Sequence, residues 1–409
     1  MAGEKFGQGK VAVITGGTAG IGRATANLFA SQGFSLALIA RGAEGLAKAE
    51  RELSGTTRVR TYECDVSDDE AVQTTANAIA EEFGGIDVWV NNAMLTQIAP
   101  FTRYTRDEFD AVFDTTFKGY VHGMRAALRH MPMRGNIVNV SSALAYRSIP
   151  LQSAYCAAKA AINGLTQSVR SEMIHEGREV ALSIITLPGL DTPQFDWSAV
   201  KMPEKPRPAA PVYDPKVAAR GVLKAVRENA REIIVGRAAL GLTFANMIVP
   251  DALDRVLSKQ GYEGQQDDGV PASVNPDDGI LYEPSHDESD YGARGSYGDE
   301  SEKSAMTVDG DMARGALFGG LGLLATGLGI LIGAAAGRAR AHREIAHDRG
   351  IEVDQHDYDH HARVAGGNGL RDRSAELRYS QPVLGDESMI GSRGETRTDI
   401  AVQGASERM

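Results

Sequence analysis

The chain has 409 residues, room for one large domain and something more, or for two domains. Its net charge of -11, with the acid excess largely beyond Gln265, argues against a nucleic-acid surface, and its 42% apolar content is that of an ordinary globular core. Two cysteines, Cys64 and Cys156, exclude a disulfide framework and a cysteine-spaced metal site, while the short polar N-terminus lacks an apolar signal region, so a first domain in the reducing cytoplasm is expected.

Residues 10–16, Lys-Val-Ala-Val-Ile-Thr-Gly, predict a buried strand running into Gly16-Gly17-Thr18-Ala19-Gly20-Ile21-Gly22 and then a helix to Gln32 capped by Gly33. Glycines between a strand and a helix let the backbone approach a pyrophosphate, whose charge then rests on the helix N-terminus. The next strand, 34–40, ends where a dinucleotide fold reads the adenosine ribose. An acid there would accept from free ribose hydroxyls; this chain has Ala40 and Arg41, and a cation suits the 2'-phosphate of NADP. An exposed arginine that contacts nothing is the alternative.

The alternation continues with a helix at 43–53, a strand at 58–62, the Cys64-Asp65-Val66 turn and a helix at 68–83. A strand at 86–90 enters Asn91-Asn92-Ala93, followed by a long amphipathic helix over 106–130, a strand at 136–141, a helix from Ser153 and a strand at 180–187. This pattern predicts an α/β fold, a Rossmann-type doubly wound parallel sheet with right-handed crossovers and ligands at the C-terminal ends of the strands.

The stretch 136–159 carries the chemistry. Ser142 stands at a strand's end, facing Tyr155, and Tyr155 and Lys159 share one helix face four residues apart. Bringing a phenol from about 10 to near 7 needs roughly 4 kcal/mol in favour of the phenolate. An ammonium one turn away, with a bound cationic nicotinamide, supplies much of that. Ser142 would then hydrogen-bond the substrate oxygen while Tyr155 gives or takes its proton.

The ordered set Thr15-Gly16-x-x-x-Gly20-Ile21-Gly22, Asp65, Asn91-Asn92-Ala93, Ser142, Tyr155-x-x-x-Lys159 and Pro188-Gly189 with Thr192 resembles the short-chain dehydrogenase/reductase family over roughly residues 8–260. The resemblance implies catalysis by Ser142, Tyr155 and Lys159. It implies NADP(H) contacts at Gly16, Thr18, Gly20, Ile21, Gly22, Arg41, Asp65 and Val66, and at Asn91, Ala93, Tyr155, Lys159, Pro188, Gly189 and Thr192. A homo-oligomer and a small-molecule carbonyl or alcohol substrate are implied as well, with no metal. Two positions depart from the family pattern. Met94 replaces the glycine of Asn-Asn-Ala-Gly, and Thr116-Phe117-Lys118-Gly119 replaces Asn-x-x-Gly, whose asparagine is thought to hold a water relaying protons to the lysine. Thr116 is expected to hold that water through its hydroxyl, with different geometry.

From Gly189 to Pro211 prolines crowd in around Phe195, Trp197 and Met202. This is the family's substrate loop, and its aromatics point to a bulky apolar substrate or to a surface loop anchored by them. Asp214-Pro215 opens another helix, 232–235 is the last strand, and a helical stretch ends near Lys259, giving a first domain over 1–260. Residues 261–312 read as an acidic disordered linker. The region 313–338 holds Gly315–Gly337, which has no charge and a glycine stripe, and it reads as a self-associating transmembrane or membrane-associated helix, or else a flexible Gly/Ala linker. The remainder, 339–409, reads as a polar disordered tail whose scattered histidines are solvated. The expected function is an NADP(H)-dependent oxidoreductase; the alternatives are a dinucleotide-binding regulatory module with weak turnover and a membrane-tethered assembly protein.

Overall fold

The computed structural model describes residues 5–131, 133–272 and 279–319. The chain opens with β1 (Val11–Thr15), buried throughout, then α1 (Gly20–Ser31) and β2 (Ser35–Ala40). Next come α2 (Ala43–Leu53), β3 (Val59–Glu63) and α3 (Asp69–Phe83). The start of α3 is set by Asp68, whose side chain accepts from the Ala71 N–H at 3.0 Å, and its end by Gly84 in the left-handed region. After β4 (Val88–Asn91) and the two-residue β5 (Gln97–Ile98), a Thr105/Glu108 capping box starts α4 (Arg106–Phe113). The sequence predicts one helix over 106–130. Instead a π-helical turn, Asp114–Lys118, separates α4 from α5 (Gly119–His130).

The central strand β6 (Arg134–Val140) leads to α6 (Ser153–His175) and β7 (Glu179–Thr186). A loop region follows with α7 (Gln194–Trp197), β8 (Ala199–Val200), which pairs with β5, and β9 (Glu204–Pro206). Asp214 caps α8 (Pro215–Glu228), with proline in its first turn. Then come β10 (Glu232–Val235), α9 (Arg237–Ile248), α10 (Pro250–Leu257), α11 (Gln260–Glu263), β11 (Gln266–Pro271) and β12 (Thr307–Asp309).

The main sheet runs β12-β10-β7-β6-β4-β1-β2-β3, with every pairing parallel except β12 on β10. The chain builds outward from β1 to β3, returns to place β4 beside β1, and builds the other way to β10. The switch between β1 and β4 opens a crevice at the strands' C-terminal ends, where such folds bind ligands. Both faces are covered, which explains the unbroken apolar runs. Ala12 and Ile14 enter the cluster with Phe29 and Val222, while Val13 enters the one with Trp89, Met124 and Ile137.

The stretch read as a disordered linker and the boundary expected at residue 260 differ from the structure, in which the described residues beyond 260 belong to the same compact unit as the sheet. β11 pairs antiparallel with β9, and β12 closes the sheet edge on β10, with Ile234 opposite Val308. Leu281, Tyr291 and Tyr297 are buried. Charged residues of the stretch find partners on the domain, Arg294 with Asp214 at 2.5 Å among them. Average composition hides this, because a few buried anchors and paired backbone groups suffice to hold a polar segment to an existing surface. Residues 320–337 of the glycine-rich segment and the tail 339–409 lie outside the described residues. Among the described residues no helix is long and apolar enough to cross a membrane, and no cluster of metal-binding side chains occurs.

Candidate active site

Three side chains around β6 and α6 meet at one end of the cleft. Ser142 lies just beyond β6, its Oγ accepting from the Leu144 N–H at 3.1 Å and so fixing the turn that follows. Tyr155 sits in the first turn of α6 and Lys159 one turn further on, both buried. The Lys159 Nζ donates to the Val140 carbonyl at 2.7 Å and to the Tyr120 hydroxyl at 3.0 Å. It lies 4.8 Å from the Tyr120 ring centre and 5.5 Å from that of Tyr155. Among the described residues no carboxylate pairs with it, and burial lowers its pKa to about 7. Burial pushes the Tyr155 phenol above its usual range, and its hydrogen bond with Ser142 pulls the other way.

Tyr120 is a residue that sequence reasoning missed. Its hydroxyl donates to the Val140 carbonyl at 2.9 Å and accepts from Lys159, so one carbonyl and one phenol hold the ammonium. The signal was faint: a tyrosine on the inner face of α5, with nothing in its spacing to tie it to α6. Thr116, expected to hold a water for Lys159, has its hydroxyl turned elsewhere. It accepts from the Leu95 N–H and donates to the Leu95 carbonyl, both at 3.0 Å. The π-helical turn presents Thr116 to the loop after β4, and it is Thr115 that lines the cleft.

The other end of the cleft is built on the β1–α1 turn. Gly16 and Gly20 take φ of +64° and +54°, in the region that glycine tolerates, and a Cβ on Gly22 would lie 2.0 Å from the Gly16 carbonyl oxygen. The Thr15 hydroxyl accepts from the N–H groups of Asn92 and Ala93, at 2.9 and 3.1 Å, tying the ends of β1 and β4 together. One cleft is lined by Gly16, Thr18, Gly20, Ile21, Arg41 and Asp65. Val66, Ala93, Ser142, Tyr155, Lys159, Pro188 and Thr192 line it too.

Four expected site residues do not line that cleft: Gly22, Asn91, Gly189 and Thr116. Gly22 serves the turn instead. Asn91 belongs to a buried polar ladder, accepting from Trp89 Nε1 and donating to Asn139 Oδ1, each at 2.8 Å; Asn139 in turn donates to Thr166. A core position leaves an amide no choice but internal partners. The neighbour Asn92 faces the cleft. Gly189 is pressed against the Ala209 carbonyl, which a Cβ would meet at 2.3 Å. Four further wall residues were not foreseen: Ile280, Pro284, Ser285 and Tyr291 come from the stretch read as linker, and Tyr291 meets Trp197 of the expected substrate loop edge-on at 5.8 Å between ring centres.

Residues 10–200 match the short chain dehydrogenase family. The chain is 31% identical over 261 residues to the oxidoreductase YxnA of Bacillus subtilis, covering 63% of this chain and 73% of that one. It is 32% identical over 206 residues to the 3-oxoacyl-[acyl-carrier-protein] reductase FabG of Thermotoga maritima, covering 50% of this chain and 81% of FabG. A short-chain dehydrogenase from Streptomyces avermitilis shares the fold at 24% identity with a TM-score of 0.52, over 62% of this chain and 97% of that one. The glycine turn, the switch-point cleft and the Ser142, Tyr155 and Lys159 side chains thus meet in a chain that belongs to the short-chain dehydrogenase/reductase family of nicotinamide-dinucleotide oxidoreductases.

Proposed function

We propose that the protein is an NADP(H)-dependent oxidoreductase that moves a hydride between the nicotinamide and a carbonyl or secondary alcohol carbon of a bulky apolar substrate. The observation that carries this reading is the convergence of Ser142, Tyr155 and Lys159 with the glycine turn, Asp65 and Arg41 on one cleft. The residues fit a dinucleotide: the left-handed glycines hold the turn open, and α1 begins there with the positive end of its dipole toward the turn. Bound there, the nicotinamide supplies or accepts the hydride. Tyr155 gives its phenolic proton to the substrate oxygen, or takes one from it, while Ser142 orients that oxygen. Lys159, when charged, favours the phenolate. Met94, Leu95, Leu187, Leu190 and Trp197 line the same cleft and support an apolar substrate. The Thermotoga relative is a 3-oxoacyl reductase, which supports a carbonyl as the oxidised partner.

NADP(H) rests on Arg41, which stands at the end of β2 where NAD-binding folds place an acid. Membrane association through 315–337 and self-assembly rest on sequence: nine large apolar residues, no charge and a repeating glycine stripe.

NADPH oxidation against a panel of ketones, aldehydes and quinones, with the reverse oxidation of alcohols, tests the activity. Tyr155→Phe should lower turnover on any substrate found by about 10²-fold or more, the scale of one general acid, while NADPH binding stays nearly intact. Near wild-type rates in that variant would overturn the mechanism.

A further inference from the structure

Residues 279–297 cross the mouth of the dinucleotide cleft and occupy groups that would read the cofactor's charge. Arg41 Nη2 donates to the Ile280 carbonyl at 2.7 Å, and its Nη1 donates to the carbonyls of Leu281 at 3.3 Å and Tyr282 at 3.2 Å. Asp65 Oδ2 lies 3.7 Å from the same Nη1. The Gly20 N–H, at the start of α1 where helix amides lack internal partners, donates to the Gly292 carbonyl at 2.8 Å.

The segment is fastened from outside the cleft. Lys48 Nζ donates to the carbonyls of Glu288 at 3.0 Å and Tyr291 at 2.5 Å, and Arg51 pairs with Glu288. The Tyr291 ring fills the space over α2, where a Cβ on Gly45 would come within 2.6 Å of it. Two glycines, Gly42 and Gly45, make room for this one aromatic anchor.

The chemistry around Arg41 then differs from that of a free cation. Three carbonyls and a carboxylate surround it, all acceptors. A ribose 2'-hydroxyl can donate to any of them. A 2'-phosphate brings oxygens that accept, and both terminal nitrogens of the guanidinium that would receive them already donate to the carbonyls of this segment. We propose that residues 279–297 form a strap that sets cofactor specificity: in place, it makes the ribose pocket read a hydroxyl, and displaced, it frees Arg41 to read a 2'-phosphate. This rests on the cleft being the dinucleotide site, and it makes the NADP(H) preference assigned to Arg41 conditional on the strap.

The test is a fluorescence titration of NADH and NADPH against the full-length protein, Lys48→Ala, Tyr291→Ala, and each of these combined with Arg41→Ala. Loosening the strap should raise the NADPH-to-NADH affinity ratio by about tenfold, the scale of one charge-assisted hydrogen bond. Arg41→Ala should erase that gain. Lys48 lies outside the cleft, so Lys48→Ala reports on the strap even where Tyr291→Ala fails to fold. An unchanged ratio in Lys48→Ala, or an equal rise for both cofactors, overturns the strap as a specificity element while leaving the dinucleotide site standing. Absence of binding by either cofactor to every variant and to the wild type overturns the dinucleotide reading itself.

Discussion

Lys159 shows what burial does to one residue. The residue is 2% exposed, its ammonium has the Val140 carbonyl and the Tyr120 hydroxyl as hydrogen-bond partners, and burial lowers its pKa from 10.5 to about 7. Between those two values the unfolded chain keeps a proton that the folded chain has lost, so stability rises with pH across the window; below about 7 both states are protonated and the burial penalty stays constant. The melting temperature of the cofactor-free protein should therefore climb from about pH 7 to about pH 8.5, and Lys159→Met should flatten the climb. Higher pH confuses the reading, because the buried Cys64 and Cys156 thiols have raised pKa values and act in the opposite sense. Tyr120→Phe removes one acceptor from the ammonium and should move the start of the climb to lower pH. Thermal melts of the three proteins check this, and an equal slope in Lys159→Met would assign the titration to another group. The lysine was legible in sequence from its spacing to Tyr155; its phenol partner was not, because α5 and α6 meet only once the sheet is formed.

Elements with strong local signals were legible too. Asp68 with Ala71, Thr105 with Glu108, and Asp214 with Lys216 each settle a helix start through groups two or three residues apart. The π-helical turn at Asp114–Lys118 was not legible, since its Thr116 answers to Leu95 across the fold. Nor was the attachment of 261–312, where β12 pairs with a strand about seventy residues upstream. That attachment has a measurable consequence. A chain stopped at Lys259 loses the cover on β10 and the buried Leu281, Tyr291 and Tyr297, at about 1.5–3 kcal/mol for each large side chain. It should unfold at markedly lower denaturant and tend to associate through the bared sheet edge. A chain stopped at Asp311 keeps all of these and should unfold close to the full-length midpoint. Equal midpoints for the two truncations would return the stretch to a mere linker.

At the scale of the whole molecule, the sheet and the switch point between β1 and β4 bring Ser142, Tyr155, Lys159 and the glycine turn to one cleft. The glycine-rich segment adds an expectation that composition alone supports: the full-length protein should sediment with membranes and the chain stopped at Asp311 should not. Fractionation of cells expressing each decides it, and a full-length protein that stays wholly in the soluble fraction rules the attachment out. The strand and helix alternation, the turn glycines and the Tyr155–Lys159 spacing are local features, so the sequence by itself determined the parallel α/β fold and the family. Which amide faces the cleft, which hydroxyl meets the lysine, and what Arg41 touches depend on contacts between residues far apart in the chain. Arg41 and Ile280 are the clearest case: nothing in either neighbourhood names the other, and only tertiary structure brings the guanidinium under a carbonyl 239 positions away.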